Sequence, residues 1–279
     1  MLNALMALCF CIVTCGLAAP ALPNQGGGPG TTDSSRVELT VGAASELDPA
    51  LTAVAQSFEE KTGNHVQLEF GDPAGLYLKV KNGGAFDAFF SSDMDHPQRL
   101  AASGAALRGS LTEYAHDGLI LCFSPTMRVP IPPDNPLLVL KDKDISHVAL
   151  ADPKHTAAGK LAIADLQAAH LNDLSVRRKF KIGDDMAQTA QFAESGNAEV
   201  ALLPMSATHS NQVWGLRMIA IPPNFDRPMR MGAVVITRSK HRREALEFLK
   251  FAASPEGQAI FEHYGFYGSR RVAPRKRAR

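Results

Sequence analysis

Residues 37–63, VELTVGAASELDPALTAVAQSFEEKTG, carry the pattern that decides the fold. Val37, Leu39 and Val41 alternate with polar neighbours at period two, and the chain then turns through Gly42-Ala43-Ala44-Ser45. Leu51, Val54, Ala55 and Phe58 recur at helical spacing, and Gly63 stands where a helix stop belongs. The stretch therefore reads as a strand, a small-residue turn and an amphipathic helix.

The same unit repeats outward from there. Val66, Leu68 and Phe70 alternate as a second strand, and Asp72-Pro73 opens a helix with Leu76 and Val80 on one face. Residues 86–90 form a short apolar strand before Ser91-Ser92-Asp93 and a helix holding Leu100 and Ala101. This βαβαβα order predicts a largely parallel sheet covered by helices. A second set follows, with strands expected at 118–123, 148–151 and 200–203 and helices at 159–169 and 186–194. Pro130, Pro132, Pro133 and Pro136 predict an irregular surface loop. Strands at 216–221 and 231–237 flank PPNFDRP. Of two closing helices, 244–252 is expected to bury Leu246, Leu249 and Phe251 or Ala252, and the next is capped by Ser254-Pro255.

The predicted class is α/β with two lobes, each a mixed, mostly parallel sheet flanked by helices. Residues 36–117 plus 222–267 would form lobe I and 118–221 lobe II. The chain would cross near 115–118 and again near 221–231. No internal repeat is evident.

The chain has 279 residues, 45% of them hydrophobic, and a net charge of +1, so no overall field points to nucleic acid, membrane or acidic substrates. Residues 1–21, MLNALMALCFCIVTCGLAAPA, are nearly all apolar and end in small residues, as an export leader does. Two leader readings stand open. Ala19-Pro20-Ala21 offers a cleavage site, and Ile12-Val13-Thr14-Cys15-Gly16 resembles a lipoprotein box, although no Lys or Arg precedes the apolar run. Both place the protein outside the cytoplasmic membrane, periplasmic or anchored there. Residues 22–35 read as a flexible linker rich in Gly, Ser, Thr and Pro. The basic end, SRRVAPRKRAR, reads as a solvated tail. Cys9, Cys11 and Cys15 lie in the leader, leaving Cys122, set in LILCFS, as a buried small hydrophobe.

Catalytic motifs are scarce. No G-x-S-x-G, H-E-x-x-H or phosphate-cradling loop occurs, and the nine histidines are scattered singly. What recurs is strand, small turn, helix: at Ser45, at Asp72, around Ala158 and at Met186. Helix N-termini aim unpaired N–H groups and partial positive charge outward, so several facing one cleft suit a small anion.

These turns also carry a family resemblance. VGAASELDPALTAVAQSFEEKTG resembles the opening of the molybdate-binding proteins of ABC transporters, which begin with a strand, Ala-Ala-Ser-Leu and an amphipathic helix. GAFDAFFSSD, VALADPKHTAAGKLAIADLQ and AASPEGQAIFEHYGF are similar to later family segments, in the same order. The resemblance implies a type II periplasmic binding protein, closing on its ligand by hinge motion. It further implies capture of a small oxyanion of the molybdate or tungstate type, delivery to an ABC permease in the membrane, and a monomer that is not an enzyme. Hydrogen bonds rather than a metal or cofactor would hold the oxyanion.

Carried over residue by residue, the site takes the Ser45 hydroxyl and amide beside Ala44, the amide of Ala158 and the amide of Met186. Two family positions differ. The second-strand turn, F-x-S-S-x-x-L in relatives, is FGDPAGL here, with Asp72, Pro73 and Ala74; Pro73 takes a serine's place and supplies neither hydroxyl nor N–H. Pro204 stands where some members place a tyrosine. Asp72 has two open roles, capping its own helix or meeting the ligand. The second would favour a protonated oxyanion or a solute bearing a donor or positive charge. The same fold could thus take another small solute. An enzyme or a regulator's effector domain is the reading from a different class, against which stands the lack of a catalytic constellation and of a helix-turn-helix ahead of Arg36.

Overall fold

The computed structural model describes residues 36–209, 213, 215–222 and 227–267; the leader, the linker and the basic tail lie outside the described residues. The first run is β1 (Glu38–Ala44), α1 (Ala50–Thr62), β2 (His65–Gly71), α2 (Pro73–Lys81), β3 (Ala88–Ser91), α3 (Asp95–Ala102) and β4 (Thr112–Asp117). The second is β5 (Leu119–Phe123), β6 (Val148–Ala151), α4 (Ala157–Ala168), α5 (Leu174–Arg177), β7 (Phe180–Gly183), α6 (Met186–Glu194), β8 (Val200–Pro204) and β9 (Arg217–Ala220). The chain closes with β10 (Met229–Val235), α7 (Arg242–Ala252) and α8 (Pro255–His263).

Two five-stranded sheets result, in the orders β2-β1-β3-β10-β4 and β7-β6-β8-β5-β9. Each mixes parallel with antiparallel pairs: β1 is parallel to β2 and β3, and β6 to β7 and β8. β10 runs against β3 and β4, and β5 against β8 and β9. The chain passes from the first sheet to the second at Gly118 and returns between Ala220 and Met229. This is a two-lobed α/β architecture with helices flanking both sheets.

Aromatic packing fastens the C-terminal helices to the first sheet. Phe248 lies 5.1 Å from Phe58 and 5.4 Å from Phe90, centroid to centroid, and Tyr114 lies 5.0 Å from Phe90 and 5.3 Å from Phe261. All five rings are buried, and burying each contributes about 1.5–3 kcal/mol. The Tyr114 hydroxyl is not stranded in this core, since it donates to the Ser91 carbonyl at 3.0 Å. Tyr267, beyond α8, exchanges two backbone hydrogen bonds with His116.

Several local expectations shift. β1 continues through Ala44 instead of turning at Gly42, because its parallel register with β2 holds to Ala44–Gly71. Small residues suit this stretch: a Cβ on Gly42 would lie 3.3 Å from the Phe86 ring. The proline loop ends in a 3-10 helix, Pro136–Lys141, whose Leu137, Val139 and Leu140 are buried. α7 turns Ala245, Phe248, Leu249 and Ala252 inward, while Leu246 and Phe251 are only partly buried. That i, i+3, i+4, i+7 stripe faces the sheet, and the neighbouring apolar positions meet adjoining helices. Strands β4 and β7 escape the sequence pattern, the latter being a short edge strand with Ile182 exposed.

Candidate functional site

Both sheets send strand ends and helix starts toward one cleft. Its cavity of about 530 Å³ is lined from the first sheet by Ser45, Asp72, Pro73 and Ala74, and from the second by Ala158, Met186 and Pro204. Of the residues singled out in the sequence, Ala44 alone does not reach this surface. It is fully buried as the last residue of β1 and precedes the short 3-10 helix Ser45–Leu47.

Local chemistry explains why each turn aims its amides. The first four N–H groups of a helix lack intrahelical partners, and a side-chain cap satisfies one. Thr156 caps α4 by accepting from the Gly159 amide at 3.0 Å, which leaves Ala157 and Ala158 as the outward donors. Asp185 caps α6 through the Gln188 amide at 2.8 Å, leaving Met186 and Ala187. Asp72 caps α2 through the Gly75 amide at 2.7 Å. Pro73 has no N–H, so Ala74 is the outward donor of that turn. Ser45 opens its 3-10 helix without any side-chain cap at Ala44.

Gly159 sets how closely α4 approaches the cleft. A Cβ there would sit 2.2 Å from the Ala151 carbonyl oxygen and 2.7 Å from the Asp152 carbonyl carbon, both backbone. Only glycine lets the helix start rest directly on the end of β6.

The electrostatics of the lining are less simple than a ring of amides. Lys160, His96 and His155 face the cleft, but so do Glu46, Asp72, Asp93, Asp117, Asp184 and Asp185. Asp93 accepts from the His96 amide at 3.0 Å and pairs with its Nδ1 at 2.7 Å. Burial works to raise the Asp93 carboxyl, yet these bonds outweigh it and hold the group below its ordinary range. Asp117 is 1% exposed and accepts from the amides of Met205 and Ser206 at 3.0 and 3.3 Å. It thereby caps the 3-10 helix Met205–His209 across the crossover. Burial pushes its carboxyl up to about 7 against those bonds.

Glu46 differs from these caps. Its side chain is exposed at the cleft wall. Desolvation by the surrounding protein raises its carboxyl above the usual range, against hydrogen bonds from its own amide and the Ser92 hydroxyl; the charges of Asp72 and Asp93 add to the rise. Sequence reasoning passed over Glu46, Ser92, Asp93, Asp117 and Ser206. The glutamate left one signal, since it follows Ser45 directly. The others meet the cleft only through pairings between distant segments. Among the described residues, no group of three or more His, Cys, Asp or Glu side chains is placed to hold a metal ion.

The profile of bacterial extracellular solute-binding proteins matches residues 39–267. The chain belongs to this family. Within it, the chain is 30% identical over 224 residues to the molybdate-binding protein ModA of Rhodobacter capsulatus, covering 80% of this chain and 85% of that one. The molybdate-binding protein ModA of Azotobacter vinelandii is 27% identical over 230 residues, with 82% and 89% covered. Among solved structures, the substrate-binding domain of a putative molybdenum ABC transporter from Clostridium difficile superposes with a TM-score of 0.72. That match has 23% identity and covers 83% of this chain and 98% of that one. The Azotobacter vinelandii periplasmic molybdate-binding protein gives 0.65 at 25% identity, with 82% and 98% covered. The solute-binding family and two-lobed fold implied by the sequence therefore hold, and the relatives are binding proteins rather than enzymes.

Proposed function

We propose that this protein is the extracytoplasmic substrate-binding component of an ABC importer, and that it captures a small oxyanion of the molybdate or tungstate type between its lobes. The observation that carries the reading is the meeting of four helix starts on one cleft: Ser45 and Ala74 from one side, Ala158 and Met186 from the other. Lobe I would comprise residues 36–117 with 222–267, and lobe II residues 118–221. Ser45 would give hydroxyl and amide, and Ala74, Ala158 and Met186 amides. Asp72 and Pro73 would form wall rather than donors, with Pro204 closing the far side. The protein would act as a monomer, without catalysis, and hand its cargo to a membrane permease. Among the described residues no helix is long and apolar enough to cross a membrane.

A second reading is favoured by the carboxylates of the lining. Under it, the cleft holds a different small solute that brings its own donors or positive charge. Thermal unfolding with molybdate, tungstate, sulfate, phosphate and arsenate separates the two. A rise in midpoint with molybdate or tungstate supports the oxyanion, and a flat response to all five removes it.

A further inference from the structure

We propose that Glu46 makes anion capture proton-linked, taking up one proton from solvent as an oxyanion enters and so setting the charge state that the cleft accepts. This rests on the oxyanion reading above and adds a specificity-determining residue to it.

Glu46 follows Ser45 within the Ser45–Leu47 helix, so an anion held by the Ser45 hydroxyl and amide lies one residue from this carboxylate. Asp72 at the start of α2 and Asp93 beside α3 are the acids whose charges reach it from facing elements. Desolvation at the cleft wall already disfavours the ionised carboxyl of Glu46, against the bonds from its own amide and the Ser92 hydroxyl. An arriving anion adds like charge, and the ionised form becomes less favourable again. Protonation removes the repulsion and also turns an acceptor into an O–H donor that can face an oxyanion oxygen.

The other acids of the cleft are held differently. Asp72 and Asp185 cap α2 and α6, and Asp93 is paired with His96. From β4, Asp117 also faces the cleft, and its carboxyl is tied to the Met205 and Ser206 amides. Buried Tyr114, on the same strand as Asp117, stands near Glu46 and keeps its proton. Across the cleft stand Lys160 with its positive charge, the imidazole of His155 and the further carboxylate of Asp184. Asp48, His209 and Tyr264 line an adjoining opening of about 330 Å³ that shares Ser45 and Glu46 with the cleft. Among the described lining residues, Glu46 alone combines adjacency to Ser45 with a crowded acidic setting, and its carboxylate is held only by its own amide and the Ser92 hydroxyl, both beside the anion's place.

Calorimetric titration of the purified protein with sodium molybdate, from about pH 6 to about pH 9 in buffers of low and high ionisation enthalpy, reads affinity and protons together. In the wild type, Kd should rise by up to about tenfold per pH unit wherever the free cleft has lost the proton and the complex keeps it. The heats in the two buffers should differ by an uptake approaching one proton per anion. Glu46→Gln should abolish that uptake and bind more tightly than wild type at the alkaline end. A wild type that binds molybdate with no proton uptake and a flat Kd overturns the linkage while leaving the oxyanion reading intact. Uptake that persists in Glu46→Gln and disappears in Asp117→Asn overturns the assignment to Glu46. Absence of molybdate binding at every pH removes the oxyanion reading, and the linkage with it. The two-buffer comparison needs no variant, so misfolding of Glu46→Gln would not shield the idea.

Discussion

The carboxylate of Asp72 accepts a hydrogen bond from the Gly75 amide at 2.7 Å, so this acid of the cleft wall closes its own helix. Of its two open roles, the capping one is thus formed, with Pro73 at the first helical position.

Substitutions at Asp72 should separate capping from charge. Asp72→Ala should lower stability by about 1 kcal/mol through loss of the cap, and Asp72→Ser should restore most of it. Because serine also removes a negative charge from the wall, Asp72→Ser should tighten molybdate binding. Urea unfolding and calorimetry on both variants check this. Weaker anion binding by Asp72→Ser would mean that the carboxylate itself meets the ligand.

Asp117 predicts a pH dependence of stability. Its folded carboxyl is raised to about 7, above the unfolded carboxylate range. The native state therefore holds this proton where the unfolded chain has released it. The contribution is fully present at low pH, declines between roughly pH 4 and pH 7, and is lost above that. Each pH unit between the folded and unfolded titration midpoints is worth about 1.4 kcal/mol, so the swing is at most a few kcal/mol. Asp117→Asn, which keeps an oxygen acceptor for the Met205 and Ser206 amides, should flatten the decline and exceed wild-type stability near pH 8. Melting midpoints of both proteins across this range decide it.

Gly159→Ala should damage fold and site together. The new Cβ has backbone atoms on the Ala151–Asp152 side that cannot swing away, so α4 must shift, at a cost of about 1–3 kcal/mol or more. Because Ala158 precedes Gly159, the displacement should also weaken anion affinity by about tenfold or more, a loss of about 1.4 kcal/mol. Unchanged stability in chemical denaturation would contradict the packing account.

Cys122 should be inert while the protein is folded. It is fully buried in the core of the second sheet, and burial pushes its thiol up to about 12. Iodoacetamide at about pH 8 should leave it unlabelled in native protein and modify it once denaturant is added, as peptide mass mapping would detect. Labelling without denaturant would show that this sheet opens locally.

Much of the cleft lining is legible before folding because helix starts are signalled by a few neighbouring residues. Small residues ahead of a helix reveal Ser45, Ala158 and Met186, and each lines the cleft whatever its side chain. Ala44 belongs to the same motif but is buried, since β1 stays paired with β2 to its last residue. α7 shows another limit. Periodicity finds the helix, yet Leu246 and Phe251 compete with Ala245 and Phe248 for the inner face, and only packing between the sheet and its neighbours chooses.

Local pattern by itself determined most of the order of strands and helices, though not β4 or β7, together with the two-lobed class and the turns that line the cleft, because period, caps and turn residues act within a few positions of the chain. The charge of the cleft was decided by tertiary structure alone. Glu46, Asp93 and Asp117 lie on separate segments, and only sheet pairing and the crossover at Gly118 bring them to one wall. Desolvation and Coulomb coupling depend on distance in space, which sequence separation does not encode.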